Sequence, residues 1–374
     1  MSDTPQAAAT PKTPAGKPVL SKTDLDVGME QKVLLMGIDL GTSRSSIVSM
    51  HGARKTVESY VGWPKDAVSR KFLKADIIYG KAALDNRLAL NLYRPMEHGV
   101  IKGSDGTDGV PQAEYDKNLE AAHMLVKHLV DLVNPGRDEQ LYGVIGVPSQ
   151  ATLKNKQAIL EIARQVLDSV MIVSEPFTVA YGMERMSDVL VIDIGAGTTD
   201  LCRMHGTVPQ PEDEITLMVA GDAVDQKLYE LILRKYPKVS LTVNMCKQFK
   251  EQYGFVSDAK DKIEVILPVE GKPVPHDITF ELRQACEILI QPIVEAIHKL
   301  IASFNPEFQE RLRHNIILSG GGGLLDGLNK RIEDGLADIG GGHVSVVEEP
   351  LYAGANGALQ LAMDMPAEYW QQLK

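Results

Sequence analysis

Cysteine is scarce. Three occur in 374 residues, Cys202, Cys246 and Cys286. The count is odd and no Cys-x-x-Cys spacing exists, which argues against a disulfide framework or a zinc site and favours a reducing, cytosolic setting. A basic excess is also missing, the formal net charge being -11. A nucleic-acid binder needs a positive footprint to displace counterions from phosphates, and this chain offers none overall. A nucleotide is a different matter, because backbone N–H groups and a metal can supply the attraction. No apolar run reaches the about 18–20 residues of a membrane span. The first residues, MSDTPQAAATPKTPAGKPVL, lack the apolar core of a secretory signal.

What is present is an ordinary soluble composition, 44% hydrophobic and 24% charged, in a chain longer than one hydrophobic core usually supports. Two lobes are expected. Residues 1–30, rich in Pro, Thr, Ala and Lys, read as a disordered tail that is a tether, a spacer or a dispensable extension. Order is expected from Val33. VLLMGIDLG is a buried strand running into a tight turn; SSIVSMHG is a second strand and KTVESYVGWP a third. Strand, turn, strand is a hairpin opening, unlike the strand-to-helix opening of a dinucleotide-binding fold. A small inserted subdomain is expected at about 64–100, a surface loop at 102–118 and a helix at 120–133. Strands and helices then alternate, so the class is α/β with mixed sheets. One long helix is expected at 280–304, where it must accommodate Pro292.

The opening theme returns. VLLMGIDLGTSRSSIVSM and DVLVIDIGAGTTDLCRM each contain an apolar strand, an Asp, a Gly/Ser/Thr turn and a second strand. Asp39-Leu40-Gly41-Thr42-Ser43 aligns with Asp193-Ile194-Gly195-Ala196-Gly197-Thr198-Thr199. The period is too long for a solenoid and fits two related lobes, each giving one hairpin turn to a shared cleft. A phosphate chain needs several N–H donors and no obstructing side chain; glycine gives the space, and Thr and Ser add hydroxyls. Gly41, Thr42, Ser43, Gly195, Ala196, Gly197, Thr198 and Thr199 meet that need from two sides. Asp39 and Asp193 cannot touch phosphate directly, since like charges repel. Mg²⁺ between them and the phosphates resolves the conflict, through its own waters.

Glu175 precedes Pro176 at a strand end, where a carboxylate could orient or deprotonate a water; spacing alone fits a solvated strand end equally. SGGGG, residues 319–323, follows a buried strand and is expected to open a helix, letting a base or phosphate approach Gly320, Gly321 and Gly322; a structural turn is the other reading. Lys250-Glu251 lies on a polar helix and by pattern alone is a solvated pair.

IDLGTS (38–43), IGVPS (145–149), SEPFTVAYG (174–182), VIDIGAGTTD (191–200), IILSGGGG (316–323) and EEPLYAGANGAL (348–359) resemble, in order, the motifs of the actin, Hsp70 and sugar-kinase superfamily. Within it the chain is similar to the MreB-like bacterial actins, above all to those associated with magnetosomes, through VGWPKDAV, PMEHGVIKG, GTVPQPED, KEQYGFV and PAEYWQQL. The resemblance implies a two-lobed actin-like ATPase fold, with duplicated ribonuclease-H-like domains around a nucleotide cleft. Lobe I would span 31–184, lobe II 185–347, and 348–374 would return to lobe I. It implies ATP/ADP and Mg²⁺ as ligands. Asp39 and Asp193 would place the metal, Glu175 would activate water, Asp193 would be the second catalytic carboxylate, and Lys250 and Glu251 would contact the nucleoside. The implied partners are copies of the chain itself, in a filament that organises magnetosomes, and a magnetosome-attached adaptor, in the cytoplasm, with no nucleic acid and no direct membrane insertion. A cell-shape or plasmid-segregating actin is the alternative. A chaperone ATPase would need a β-rich domain after the last motif, and a sugar kinase a polar substrate pocket beside the γ-phosphate.

Overall fold

The computed structural model describes residues 32–104, 109–258 and 261–373. The expected tail at 1–30 lies outside the described residues, as does 105–108 within the expected loop.

Strand β1 (Val33–Leu40) is apolar on both faces because both faces are covered. Leu34, Met36, Ile38 and Leu40 enter one core, and Leu35 enters another on the opposite side. The strand pairs antiparallel with β2 (Arg44–Ser49), which pairs antiparallel with β3 (Arg54–Glu58). On its other side it runs parallel to β4 (Gln140–Val147), and β4 parallel to β5 (Ser169–Ser174). The order is therefore β3-β2-β1-β4-β5.

The second sheet repeats this plan. Its strands are β6 (Ser187–Ile194), β7 (Thr199–His205), β8 (Glu214–Leu217), β9 (Ile316–Ser319) and β10 (Val344–Val346), in the order β8-β7-β6-β9-β10. The pairs β8/β7 and β7/β6 are antiparallel, and β6/β9 and β9/β10 parallel. The repeat legible in two hairpins thus extends to two whole sheets, strand for strand. Helices cover both, giving a mixed α/β molecule of two lobes.

Four local expectations are corrected. The segment KTVESYVGWP is two strands: β3 stops at Glu58, and Val61–Pro64 joins Ile78–Tyr79 and Leu90–Tyr93 in a separate small sheet. The chain turns off at Ser59, whose hydroxyl donates to the Gly41 carbonyl at 2.6 Å. The helix expected at 120–133 is Gln112–Leu132, so 112–118 is not loop. Its apolar stripe already begins at Tyr115 and Leu119, and Pro111 fixes the entry. The single helix at 280–304 is two, Thr279–Cys286 and Ile290–Ala302, joined by a 3-10 turn at Glu287–Leu289. In an unbroken helix the Pro292 ring would strike the carbonyl four residues earlier. SGGGG opens only a 3-10 turn, Gly321–Leu324, and the α-helix starts at Leu328, because a run of glycines is too costly to hold helical.

The last helices lie against the first sheet. Ala353–Asp364 packs on β1 and on the helix Glu175–Gly182. In Ala367–Gln372, Trp370 is 1% exposed and packs on Tyr142 of β4, while Ser169 of β5 donates its hydroxyl to the Trp370 carbonyl at 3.2 Å. No described helix is long and apolar enough to cross a membrane.

Candidate functional site

One cleft of about 890 Å³ runs between the lobes, and both hairpin turns open into it. The β1–β2 turn contributes Gly41, Thr42 and Ser43; the β6–β7 turn contributes Gly195, Ala196, Gly197 and Thr198. The two turns touch. A Cβ on Gly197 would stand 2.5 Å from Thr42 Oγ1 and 2.7 Å from His98 Cα, so only glycine fits. Neighbouring residues of lobe I fix their positions. Thr42 Oγ1 accepts from the Gly99 N–H at 2.8 Å, and Arg94 Nε donates to the Thr42 carbonyl at 2.9 Å. His98 Nδ1 sits 2.9 Å from the Gly197 carbonyl, a geometry that requires the Nδ1–H tautomer.

Thr199 departs from the expected set. It is fully buried, and its hydroxyl donates to the Val219 carbonyl at 2.9 Å. Residues alternate across a strand, so Thr198 faces the cleft and Thr199 faces the protein.

Below the turns lies a group of carboxylates. Asp39 and Asp193 occupy matching places near the ends of β1 and β6 and line the cleft. Burial pushes Asp39 up to about 6. Burial, then repulsion from Asp39 and Asp200, pushes Asp193 up to about 7. Glu175 is the first residue of its helix rather than the last of a strand, and is 8% exposed. Burial first, and then the charges of Asp39, Asp200 and Asp193, raise its carboxyl well above the ordinary range. Asp200 was not read as chemistry in the sequence. It is buried, accepts from the Ser149 N–H at 2.8 Å and the Thr216 hydroxyl at 2.6 Å, and is raised by burial against those bonds. Four acidic groups thus repel one another around one spot. No cluster of three or more metal-ligating side chains exists among the described residues. Two facing carboxylates with raised pKa values fit a cation that keeps most of its waters.

A further wall of the cleft is built by the helix Val243–Tyr253 and the glycine turn after β9. Lys250 Nζ lies 2.7 Å from Asp225 Oδ1 and donates to the Gly221 carbonyl at 2.7 Å. Glu251 pairs with Arg44 of the opposite lobe at 2.8 Å. Gly320, at φ 73°, lies against the end of β6; a Cβ there would stand 2.5 Å from the Ile194 carbonyl and 2.8 Å from Asp193 Oδ1. Gly321 and Gly322 line the cleft too, and Leu324, Leu325, Leu351 and Tyr352 give it apolar surface. Every other expected residue therefore reaches the cleft. Arg44, Lys247, Asp222, Asp225 and Gly354 line it as well and were not singled out. For Lys247 a signal existed, since it sits one helical turn before Lys250 and shares its face. The three cysteines are buried and free, Cys202, Cys246 and Cys286 alike, and burial pushes all three thiols up.

The MreB/Mbl protein family matches residues 33–368. The chain is 37% identical over 346 residues to the actin-like protein MamK of Paramagnetospirillum magneticum, covering 92% of this chain and 97% of the relative. Among solved structures it is similar to the MamK double helical filament, with a TM-score of 0.85 at 36% identity over 90% of this chain and 100% of the other. It is also similar to a non-polymerising MamK mutant bound to AMPPNP, with a TM-score of 0.67 at 36% identity over 89% and 100%. With paired turns, opposed aspartates and a repeated sheet plan behind these matches, the chain belongs to the MreB/Mbl family of actin-like proteins, on its MamK branch.

Proposed function

We propose that the chain is a polymerising cytoskeletal ATPase. It binds ATP with Mg²⁺ between its lobes, stacks head to tail into filaments of itself, and hydrolyses ATP slowly, faster once assembled. The observation that carries this reading is the contact of two Asp-headed turns, Gly197 against Thr42, across one cleft. Gly41, Thr42, Ser43, Gly195, Ala196, Gly197 and Thr198 would hold the phosphates, Lys250 and Glu251 the nucleoside, and Gly320, Gly321 and Gly322 the base. Asp39 and Asp193 would hold the magnesium ion through its waters, and the ion would neutralise charge on the phosphates. Glu175 would accept the proton of the attacking water as the bond from the γ-phosphorus to the ADP oxygen breaks. Similarity to a MamK filament supports head-to-tail stacking, a heterologous contact that does not close. Within the same proposal the filament is cytoplasmic and organises magnetosomes through an adaptor attached to them.

The division into 31–184, 185–347 and a returning 348–374, with an inserted unit at about 64–100, belongs to the same proposal. Packing of Trp370 on Tyr142 supports it. Electron microscopy of the purified chain with ATP, ADP and no nucleotide, alongside phosphate release, tests the function. Filaments favoured by ATP together with slow phosphate release are expected; neither filaments nor release would overturn it. Co-pelleting with and without liposomes tests the membrane-bound cell-shape alternative, which requires binding to the lipid.

A further inference from the structure

The cleft contains three cationic side chains. Two are already matched: Lys250 lies on Asp225, and Arg44 on Glu251. Lys247 is different. Its ammonium reaches from the lobe II helix Val243–Tyr253 to lobe I and donates to the Ser43 hydroxyl, 2.5 Å away, in the β1–β2 turn. A hydroxyl is a neutral acceptor, and an ammonium has three donors. Among the described residues no carboxylate pairs with it. Burial lowers its pKa most of all, Arg44 and Arg94 repel it, and the two carboxylates that favour its charge, Glu251 and Asp225, are already engaged by Arg44 and Lys250. An enclosed cation is stable only when matched. The wall below the turns is acidic, so a phosphate chain entering the cleft needs positive charge from elsewhere than those carboxylates.

We propose that Lys247 is a phosphate-binding residue of the cleft, the counter-ion that lobe II offers to the phosphate chain of a nucleotide seated on the Ser43 turn. This rests on the nucleotide-binding reading and adds a residue to it. Because the same ammonium already bonds lobe I, a phosphate held by it is gripped from both lobes at once.

The test is calorimetric binding of adenosine, AMP, ADP and AMPPNP, with Mg²⁺, to the full chain kept below its assembly threshold. Lys247→Met should bind ADP and AMPPNP about 10- to 100-fold more weakly, the worth of a hydrogen bond to a charged group. Its affinity for adenosine should match that of the parent, and Lys247→Arg should restore most of the loss. Unchanged ADP affinity in Lys247→Met would overturn the assignment. So would an equal loss for adenosine and ADP, since that pattern marks a structural role. If the parent bound adenosine and ADP with equal affinity, or bound neither, the nucleotide reading itself would fall, which separates the two failures.

Discussion

At the scale of single residues, the acidic cluster dominates. Glu175→Ala or Asp193→Ala should reduce phosphate release about 10²–10⁴-fold, the usual contribution of a general base, while filaments still form and turn over slowly. Near-normal release from both variants, measured per mole of polymer, would remove these residues from the chemistry. The same cluster sets a pH dependence. Asp39, Asp193 and Asp225 titrate in the folded chain at about 6, 7 and 6, above the about 3.9 of an unfolded aspartate. Between about pH 4 and 7 the folded state retains protons that the unfolded state has released, so stability falls as pH rises through that window. In the nucleotide-free chain, Asp39→Asn should flatten this fall and raise the melting temperature at pH 8 by about 2–4 °C. Parallel pH profiles for parent and variant would contradict the effect. The two aspartates and both turns were legible because each is announced by adjacent residues: strand, Asp, glycine. Asp200, Asp225 and the Arg44–Glu251 pair were not, because their meaning depends on partners 16 to 207 positions away.

At the scale of elements, close approach is set by glycine. The helix Ala353–Asp364 lies directly on β1 and on the helix Glu175–Gly182. A Cβ on Gly182 would stand 2.7 Å from Gly357 Cα, and one on Gly357 would strike the Thr178 carbonyl. Alanine is the better helix former by about 1 kcal/mol, yet overpacking costs about 1–3 kcal/mol. Gly357→Ala should therefore destabilise the chain on balance, and a urea midpoint at or above the parent's would refute that packing argument. Strand positions were legible because apolar runs ending in glycine leave little choice. Helix ends were less so. Pro292 was seen, but whether it bends or breaks a helix depends on what the turn before it packs against. The start at Gln112 lay hidden behind a run of polar residues whose Tyr115 and Leu119 become core only once the sheet is present.

At the scale of the molecule, the lobes share one buried apolar cluster, with Phe177 and Val179 on one side and Val191 and Cys202 on the other, and polar links join them besides. Arg44–Glu251 and Arg94–Asp222, at 2.8 and 2.6 Å, join surfaces a third exposed, and Ser149 to Asp200 is a buried link between them. Partly exposed pairs contribute about 0–1 kcal/mol to stability. They act with more effect on the balance between open and closed lobes, where 1 kcal/mol is about fivefold in population. Asp222→Ala, which leaves the Arg94 bond to the Thr42 carbonyl in place, should leave the melting temperature almost unchanged and raise the critical concentration for ATP-driven assembly about fivefold, read by pelleting across a concentration series. An unchanged threshold would separate lobe closure from assembly.

The chain has two tryptophans. Trp370 is sealed against Tyr142 at the foot of the first sheet, and Trp63 is half-buried, edge-on to Tyr93 in the small sheet. Intrinsic fluorescence is therefore a two-colour gauge without any added dye. A blue, quencher-resistant component reports the interior, and a redder, quenchable one reports the small sheet, so events at that sheet can be followed separately from loss of the fold.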